Sequence, residues 1–233
     1  MLLFPEDLAA PDRACLSGRR LQHVREVHRA APGQELAVGL LDGKMGRGRV
    51  LRLDEDALEL ELKLDQAPPP KLPLTLLIAV PRPKVLNRVV AAASSLGAAR
   101  LVLLNAWKVE KAYWASPRMK PENLRQQMIL GLEQAKDTVL PDLRLARLFR
   151  PFVEDELPGL LEGGLGLMAH PGSGGEVPPS SPTKPITLAI GPEGGWVEAE
   201  VQSLLKAGLQ PLDLGPRILR TETALAALVG KLF

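Results

Sequence analysis

The chain has few aromatic residues, 3% of 233, and a single cysteine, Cys15. One thiol cannot close an intramolecular disulfide, so the fold must rest on burial and hydrogen bonding, and a reducing compartment suits it. So few rings argue against a sheet-borne base-stacking platform of the kind that reads single-stranded RNA. Long apolar runs are missing as well. The longest apolar strand candidate, Leu74 to Val80, is far too short to cross a bilayer. The opening MLLFPEDLAAPDR is broken at once by proline and acid, unlike a secretory leader, and a cytoplasmic location is expected.

Several common signatures are also lacking. No G-x-x-x-x-G-K-S/T stretch exists to cradle a triphosphate. Gly172-Ser173-Gly174-Gly175 follows a strand candidate, but Pro178 and Pro179 forbid the helix that a dinucleotide site requires. No G-x-S-x-G elbow occurs, and Cys15 lies in a strand-rich region, so nucleophilic hydrolysis has little support. His23 and His28 have no Cys or acidic partner at ligand spacing, and no metal site is expected.

What remains is an ordinary globular composition, 45% apolar and 24% charged, long enough for one large or two modest domains. The net charge of +2 is unevenly spread. Arg13 to Arg52 holds nine Lys or Arg against three acids, whereas Asp54 to Asp65 holds six acids against Lys63. A basic face containing Arg19, Arg20, Arg25, Arg29, Lys44 and Arg47 is a candidate RNA footprint, or simply a solvated surface.

Residues 1–66 read as short strands. Asp42-Gly43 is a hairpin turn signal, and Leu58, Leu60, Leu62 and Leu64 alternate with polar residues, predicting a small β-barrel or curled sheet. The stiff APPPKLP, residues 67–73, sets a boundary between domains at 1–68 and 69–233. Beyond it, strand candidates 74–80, 100–106, 165–169, 186–190 and 211–214 alternate with helical patterns such as 85–97 and 121–137. That predicts an α/β domain with a mainly parallel sheet. Residues 172–185 read as a long surface loop.

Two loops at the carboxyl ends of strands stand out, because open α/β sheets bind ligands there. One is Gly191-Pro192-Glu193-Gly194-Gly195. The other is LDLGPRILRTETALAAL, 212–228, where Arg217 and Arg220 bracket two apolar residues and Thr221 or Thr223 suits a helix cap. They are either a ligand site or plain strand–helix connections; glycine backbone with few charges suits an adenine ring better than a triphosphate. The last helix, from Ala224 to Phe233, is apolar on nearly every side and must be buried in a core or against a partner.

The motifs IGPEGG (190–195) and LGPRILRTETA (214–224), at this spacing, resemble the RsmE family of SPOUT-class RNA methyltransferases, which methylate N3 of a uridine near the 3′ end of 16S ribosomal RNA. The similarity runs the whole chain and includes SLGA (95–98), EQ (133–134) and HP (170–171). It implies a PUA-like RNA-binding barrel over 1–68 and a SPOUT domain over 69–233 whose carboxyl end is threaded into a trefoil knot. It implies S-adenosylmethionine as cofactor, held by Leu167 and His170, by Ile190, Gly191, Glu193 and Gly195, and by Leu214, Gly215, Leu219 and Thr223. Glycine at 191, 194 and 195 would open the backbone to the adenine edge, leaving the Glu193 carboxylate for ligand or RNA. Arg217 or Arg220 would stabilise the uracil anion or hold a phosphate. The implied partners are 16S RNA or the small ribosomal subunit and a second copy of the chain; no membrane or metal is needed. Two departures stand out: Ser95 where the family has Glu, and no Arg shortly after EQ in EQAKDTVLP. Methylation of another RNA position stays open, as does a non-catalytic RNA-binding or ribosome-assembly protein.

Overall fold

The computed structural model describes residues 1–178 and 183–233, without the side chains of Arg19, His23, Val27 and His28. The expectations placed on Arg19, on the histidine pair and on residues 179–182 of the long loop therefore lie outside the described residues. The chain divides into two compact units, Met1–Pro69 with Leu132–Leu140, and Pro70–Gly131 with Pro141–Phe233.

The first unit is a curled sheet of β1 (Leu2–Leu3), β2 (Leu8–Ala10), β3 (Arg13–Leu16), β4 (Glu35–Leu40), β5 (Met45–Leu53) and β6 (Leu58–Gln66), with the short helix α1 (Gly18–His23). Its order is β1-β4-β5-β6-β3-β2, antiparallel except where β1 meets β4. The period-two leucines do what alternation dictates. Leu58, Leu60 and Leu62 are buried with Leu16, Val24, Val38 and Val50, while Glu61 and Lys63 face water. The expected hairpin turn forms with Asp42 at φ 56, and Leu40 N–H donates to Lys44 O at 3.0 Å. Thr138, from the second segment of this unit, secures that turn: its hydroxyl donates to Gly43 O at 2.6 Å and its carbonyl accepts from Asp42 N–H at 2.8 Å.

The second unit holds β7 (Leu72–Ala79), β8 (Ala98–Leu104), β9 (Asp142–Ala146), β10 (Leu165–Ala169), β11 (Ile186–Ile190) and β12 (Gln210–Leu212). They form one sheet in the order β12-β10-β11-β7-β8-β9, and every pairing is parallel. Its helices are α2 (Pro83–Ser95), α3 (Lys111–Trp114), α4 (Pro121–Ala135, of which this unit holds the part up to Gly131), α5 (Phe149–Pro151), α6 (Leu157–Leu161), α7 (Glu198–Lys206) and α8 (Thr221–Leu232). All five residues of β11 are buried, as a parallel strand covered on both faces requires. Helices α2 and α4 approach closely: a Cβ on Gly131 would meet Ala91 O at 2.3 Å, and the buried Ser94 hydroxyl donates to Met128 O at 2.8 Å.

Strand β9 was not anticipated. It is a sheet edge with Asp142 and Arg144 exposed, so it lacks the apolar run by which the inner strands announce themselves. The expected threonine cap of the last helix is also corrected. Arg220 occupies the cap position in extended conformation and no side chain caps the helix, because Thr221 is already its first residue. Leu225, Leu228, Val229 and Leu232 of α8 are committed to the chain's own core, leaving Ala226, Ala227 and Gly230 outward.

Gly46 sits where the β5–β6 register shifts, and a Cβ there would lie 1.9 Å from Lys63 O. Backbone cannot give way as a flexible side chain would. Gly46→Ala should therefore cost about 1–3 kcal/mol, read as a lowered denaturant midpoint; an unchanged midpoint would contradict the close approach.

Candidate functional site

Because the sheet is parallel, every loop that leaves a strand's carboxyl end emerges on one edge. Chain order runs from β7 through β8 to β9 on one side, then resumes on the other, which makes the β7–β11 boundary the switch point where such sheets bind ligands. Beside it the loops after β10, β11 and β12 leave the sheet in register around β10: Ala169 pairs with both Ile190 and Leu212, and His170 N–H donates to Leu212 O at 3.0 Å.

Three carboxylates tie these loops together through backbone amides. Glu193, after β11, accepts from Arg82 N–H, after β7, at 2.9 Å. The buried Glu200 on α7 accepts from Trp107 N–H, after β8, at 2.7 Å and from Val197 N–H at 3.0 Å. Asp213, after β12, accepts from Gly172 N–H, after β10, at 2.8 Å and from Gly215 N–H at 3.0 Å. A buried carboxylate is tolerable only when its oxygens are so engaged. The Gly215 amide, together with those of Gly172 and Gly174 and the nearby His170, holds the Asp213 carboxyl below the usual aspartate range, against the opposing effect of burial. Glu222 is held low as well, first by its own amide, against burial, then by Arg88, 3.0 Å away, and by Arg220. That pair fixes the first turn of α8 to α2.

The glycines of the two motifs have different reasons to be glycine. A Cβ at 191 would meet the Trp196 indole at 3.1 Å, and one at 194 would meet the Lys108 side chain at 2.8 Å. Gly195 and Gly215 instead adopt φ of 71° and 101°, with nothing within 4 Å of an added Cβ. The expectation that 191, 194 and 195 all bare the backbone is thus corrected: 191 and 194 make room for side chains, while 195 and 215 border open space. Glu193, expected to await ligand or RNA, already accepts the Arg82 amide. Trp196 is 6% exposed, and its Nε1–H has no hydrogen-bond partner among the described residues.

The remaining predicted residues fall as follows. Leu167 and Ile190 are buried strand positions, His170, Leu214 and Leu219 are half-buried, and Thr223, Arg217 and Arg220 are exposed. In the first unit Arg25, Arg29 and Lys44 are exposed. Arg20 is not a free cation: it pairs with the buried Asp7 through Nη1 and, at 2.6 Å, Nη2, and lies 4.6 Å over the Phe4 ring. A buried carboxylate needs that guanidinium, so Arg20 serves the fold. Arg47 pairs with Glu35 at 2.7 Å. Sequence reading missed Arg82, Trp107, Lys108, Glu200 and Asp213, whose links are long-range and leave no spacing to find.

Open, Cβ-free backbone at 195 and 215, flanked by apolar strand ends and held by carboxylates, fits an adenine-bearing ligand such as S-adenosylmethionine, recognised through backbone N–H and C=O groups. Among the described residues no group of three or more His, Cys, Asp or Glu side chains could hold a metal ion.

Comparison with known proteins adds relatives to this geometry. The model of the RNA methyltransferase domain matches residues 68–232. The ribosomal RNA small subunit methyltransferase E of Treponema pallidum is 29% identical over 241 residues, covering 97% of this chain and 88% of the relative. Its Synechocystis namesake is 29% identical over 215 residues, covering 90% and 69%. Among solved structures, the Neisseria gonorrhoeae ribosomal RNA small subunit methyltransferase E bound to S-adenosyl methionine aligns with a TM-score of 0.76 at 22% identity, covering 98% of this chain and 94% of its own. A Legionella pneumophila methyltransferase with bound cofactor SAM aligns with a TM-score of 0.71 at 25% identity, covering 98% and 94%.

Two outcomes follow for S-adenosylmethionine affinity. Any L side chain is strained at a φ of 71° and a β-branched one most, so Gly195→Val should lose binding in a folded protein while Gly195→Ala loses less; equal calorimetric affinities for all three would contradict the placement. The lowered carboxyl of Asp213 makes its contribution to loop order complete above about pH 4 and lost as pH falls through the lower folded value. Affinity should hold down to that range and then fall, whereas Asp213→Asn should bind more weakly at neutral pH with a flatter acid limb.

Proposed function

Because the chain belongs to the RNA methyltransferase domain family, we propose that it methylates the small-subunit ribosomal RNA at N3 of a uridine, with S-adenosylmethionine as donor. The observation that carries this reading is the gathering of the loops after β10, β11 and β12 at one sheet edge, with open glycine backbone at 195 and 215. Relatives that match nearly the full chain carry the name ribosomal RNA small subunit methyltransferase E.

On this reading Leu167, His170, Ile190, Gly191, Gly195, Leu214, Gly215, Leu219 and Thr223 surround the cofactor, with Glu193 holding its loop to Arg82. When bound, S-adenosylmethionine supplies an electrophilic methyl group on a sulfonium sulfur. The chain's own task is orientation and charge. Uracil must lose its N3 proton, which leaves negative charge on N3 and the flanking oxygens. Arg217 and Arg220, exposed in the loop after β12, would stabilise that charge or grip the adjacent phosphate. The exposed Arg25, Arg29 and Lys44 of residues 1–68 would hold the RNA backbone. The carboxyl-terminal segment would thread the trefoil knot of its class. No helix among the described residues is long and apolar enough to cross a membrane, and the cytoplasm is the compartment this reading assigns.

Mass-spectrometric mapping of 16S RNA from cells with and without the gene should find one N3-methyluridine that depends on it; loss of a different modification would move the target. Arg220→Ala should lower kcat by about 10²–10³-fold, as loss of one donor to a developing anion does, with cofactor affinity kept.

A homodimer belongs to the same reading. The outward face of α8, Ala226, Ala227 and Gly230, is small enough for a second helix to approach closely, whereas Leu228 is core and unsuited as a probe. Light scattering should give twice 25.2 kDa for the wild type and the single mass for Ala227→Glu; an active wild-type monomer would contradict the dimer.

A further inference from the structure

Aromatic side chains are scarce here, and those with a polar tip are not scattered. All three tryptophans and the one tyrosine, Trp107, Tyr113, Trp114 and Trp196, follow the carboxyl ends of β8 and β11, the edge that bears the cofactor loops. Three of them are occupied within the fold. Trp196 is buried against Gly191. Trp114 donates to Asn105 Oδ1 at 2.8 Å and has the Arg147 guanidinium 5.1 Å above its ring. Tyr113 donates to Glu110 at 2.8 Å.

Trp107 differs from all of them, because it is 82% exposed. An indole left in water forgoes a large burial free energy, which a partner that covers the ring would recover. The backbone beneath it is held firmly: its N–H is bonded to the buried Glu200, and the next side chain, Lys108, donates through Nζ to Gly194 O at 2.6 Å. A wet ring is therefore displayed on a fixed loop, one residue from a lysine that touches the candidate cofactor loop. Lys108 and Lys111 follow β8 as it does, and Arg147, over the Trp114 ring, follows the adjacent β9; all three are exposed. An aromatic face with cations nearby is the chemistry that takes an unpaired base together with its phosphates. A second copy of this chain fits less well, since the same cations would meet their own kind.

We infer that Trp107 is a stacking platform for an unpaired base of the RNA substrate, setting the strand beside the cofactor loop; this rests on the reading of the chain as a ribosomal RNA methyltransferase. The test compares wild type, Trp107→Ala and Trp107→Phe. It measures affinity for single-stranded oligouridine, KM for methylation of 16S RNA, S-adenosylmethionine affinity and mass in solution. Trp107→Ala should weaken oligouridine binding and raise KM about tenfold, Trp107→Phe should restore most of both, and cofactor affinity and mass should not move. Unchanged oligouridine affinity and KM in Trp107→Ala, beside an active wild type, would overturn the platform. So would a fall in mass, which would give the indole to a second copy. A wild type that binds oligouridine through Trp107 but transfers no methyl group would contradict the proposed function and support the platform.

Discussion

Backbone amides held by carboxylates are what the site depends on. Glycine-rich loops are entropically costly to fix, because glycine gives up more freedom than any other residue on folding. Left alone, the segments around Gly172, Gly195 and Gly215 would sample many shapes, and no ligand edge would find its partners in place. Asp213 ties the loop after β12 to the loop after β10, while Glu193 and, from α7, Glu200 tie the segment after β11 to the loops after β7 and β8, so the five loops become two braced sets. A charged acceptor makes the stronger kind of hydrogen bond, and for the buried Glu200 an unmade one would cost about 1–3 kcal/mol. Order at this edge is thus a property of three side chains, none of which need touch the cofactor.

That arrangement also divides labour among the glycines. Two of them exist for neighbours: Gly191 for the Trp196 ring and Gly194 for Lys108. Lys108 in turn holds the loop through its bond to Gly194 O. Gly195 and Gly215 are left with left-handed backbone and open space, where a ligand's hydrogen-bonding edge can approach. The exposed cations Arg82, Lys108, Arg217 and Arg220 follow β7, β8 and β12 at the carboxyl edge of a sheet whose inner strands are apolar, a distribution suited to an anionic polymer.

Much of this was legible in the sequence, and the limits have physical causes. Strands β10 and β11 appear at their predicted bounds because each is a short apolar run closed by turn residues, and alternation with helices was enough to predict a parallel sheet. Strand β9 escaped notice because an edge strand need bury only one face. The loop pair was legible as two glycine-bearing motifs, but not the reason for each glycine, since that lies in side chains such as Trp196 and Lys108. The links from Glu200 to Trp107 and from Glu193 to Arg82 join positions 93 and 111 residues apart, and no local pattern encodes them. Arg20 shows the converse error: a cation counted toward a basic face was already committed to Asp7.

Amide hydrogen exchange on the ligand-free chain tests the carboxylate ties most directly. The amides of Arg82, Trp107, Gly172 and Gly215 should exchange slowly for loop positions, and Glu193→Gln, Glu200→Gln and Asp213→Asn should each speed only the amides that the altered side chain accepts. Exchange at the rate of a free loop in the wild type would contradict a preformed site and leave its order to the cofactor alone.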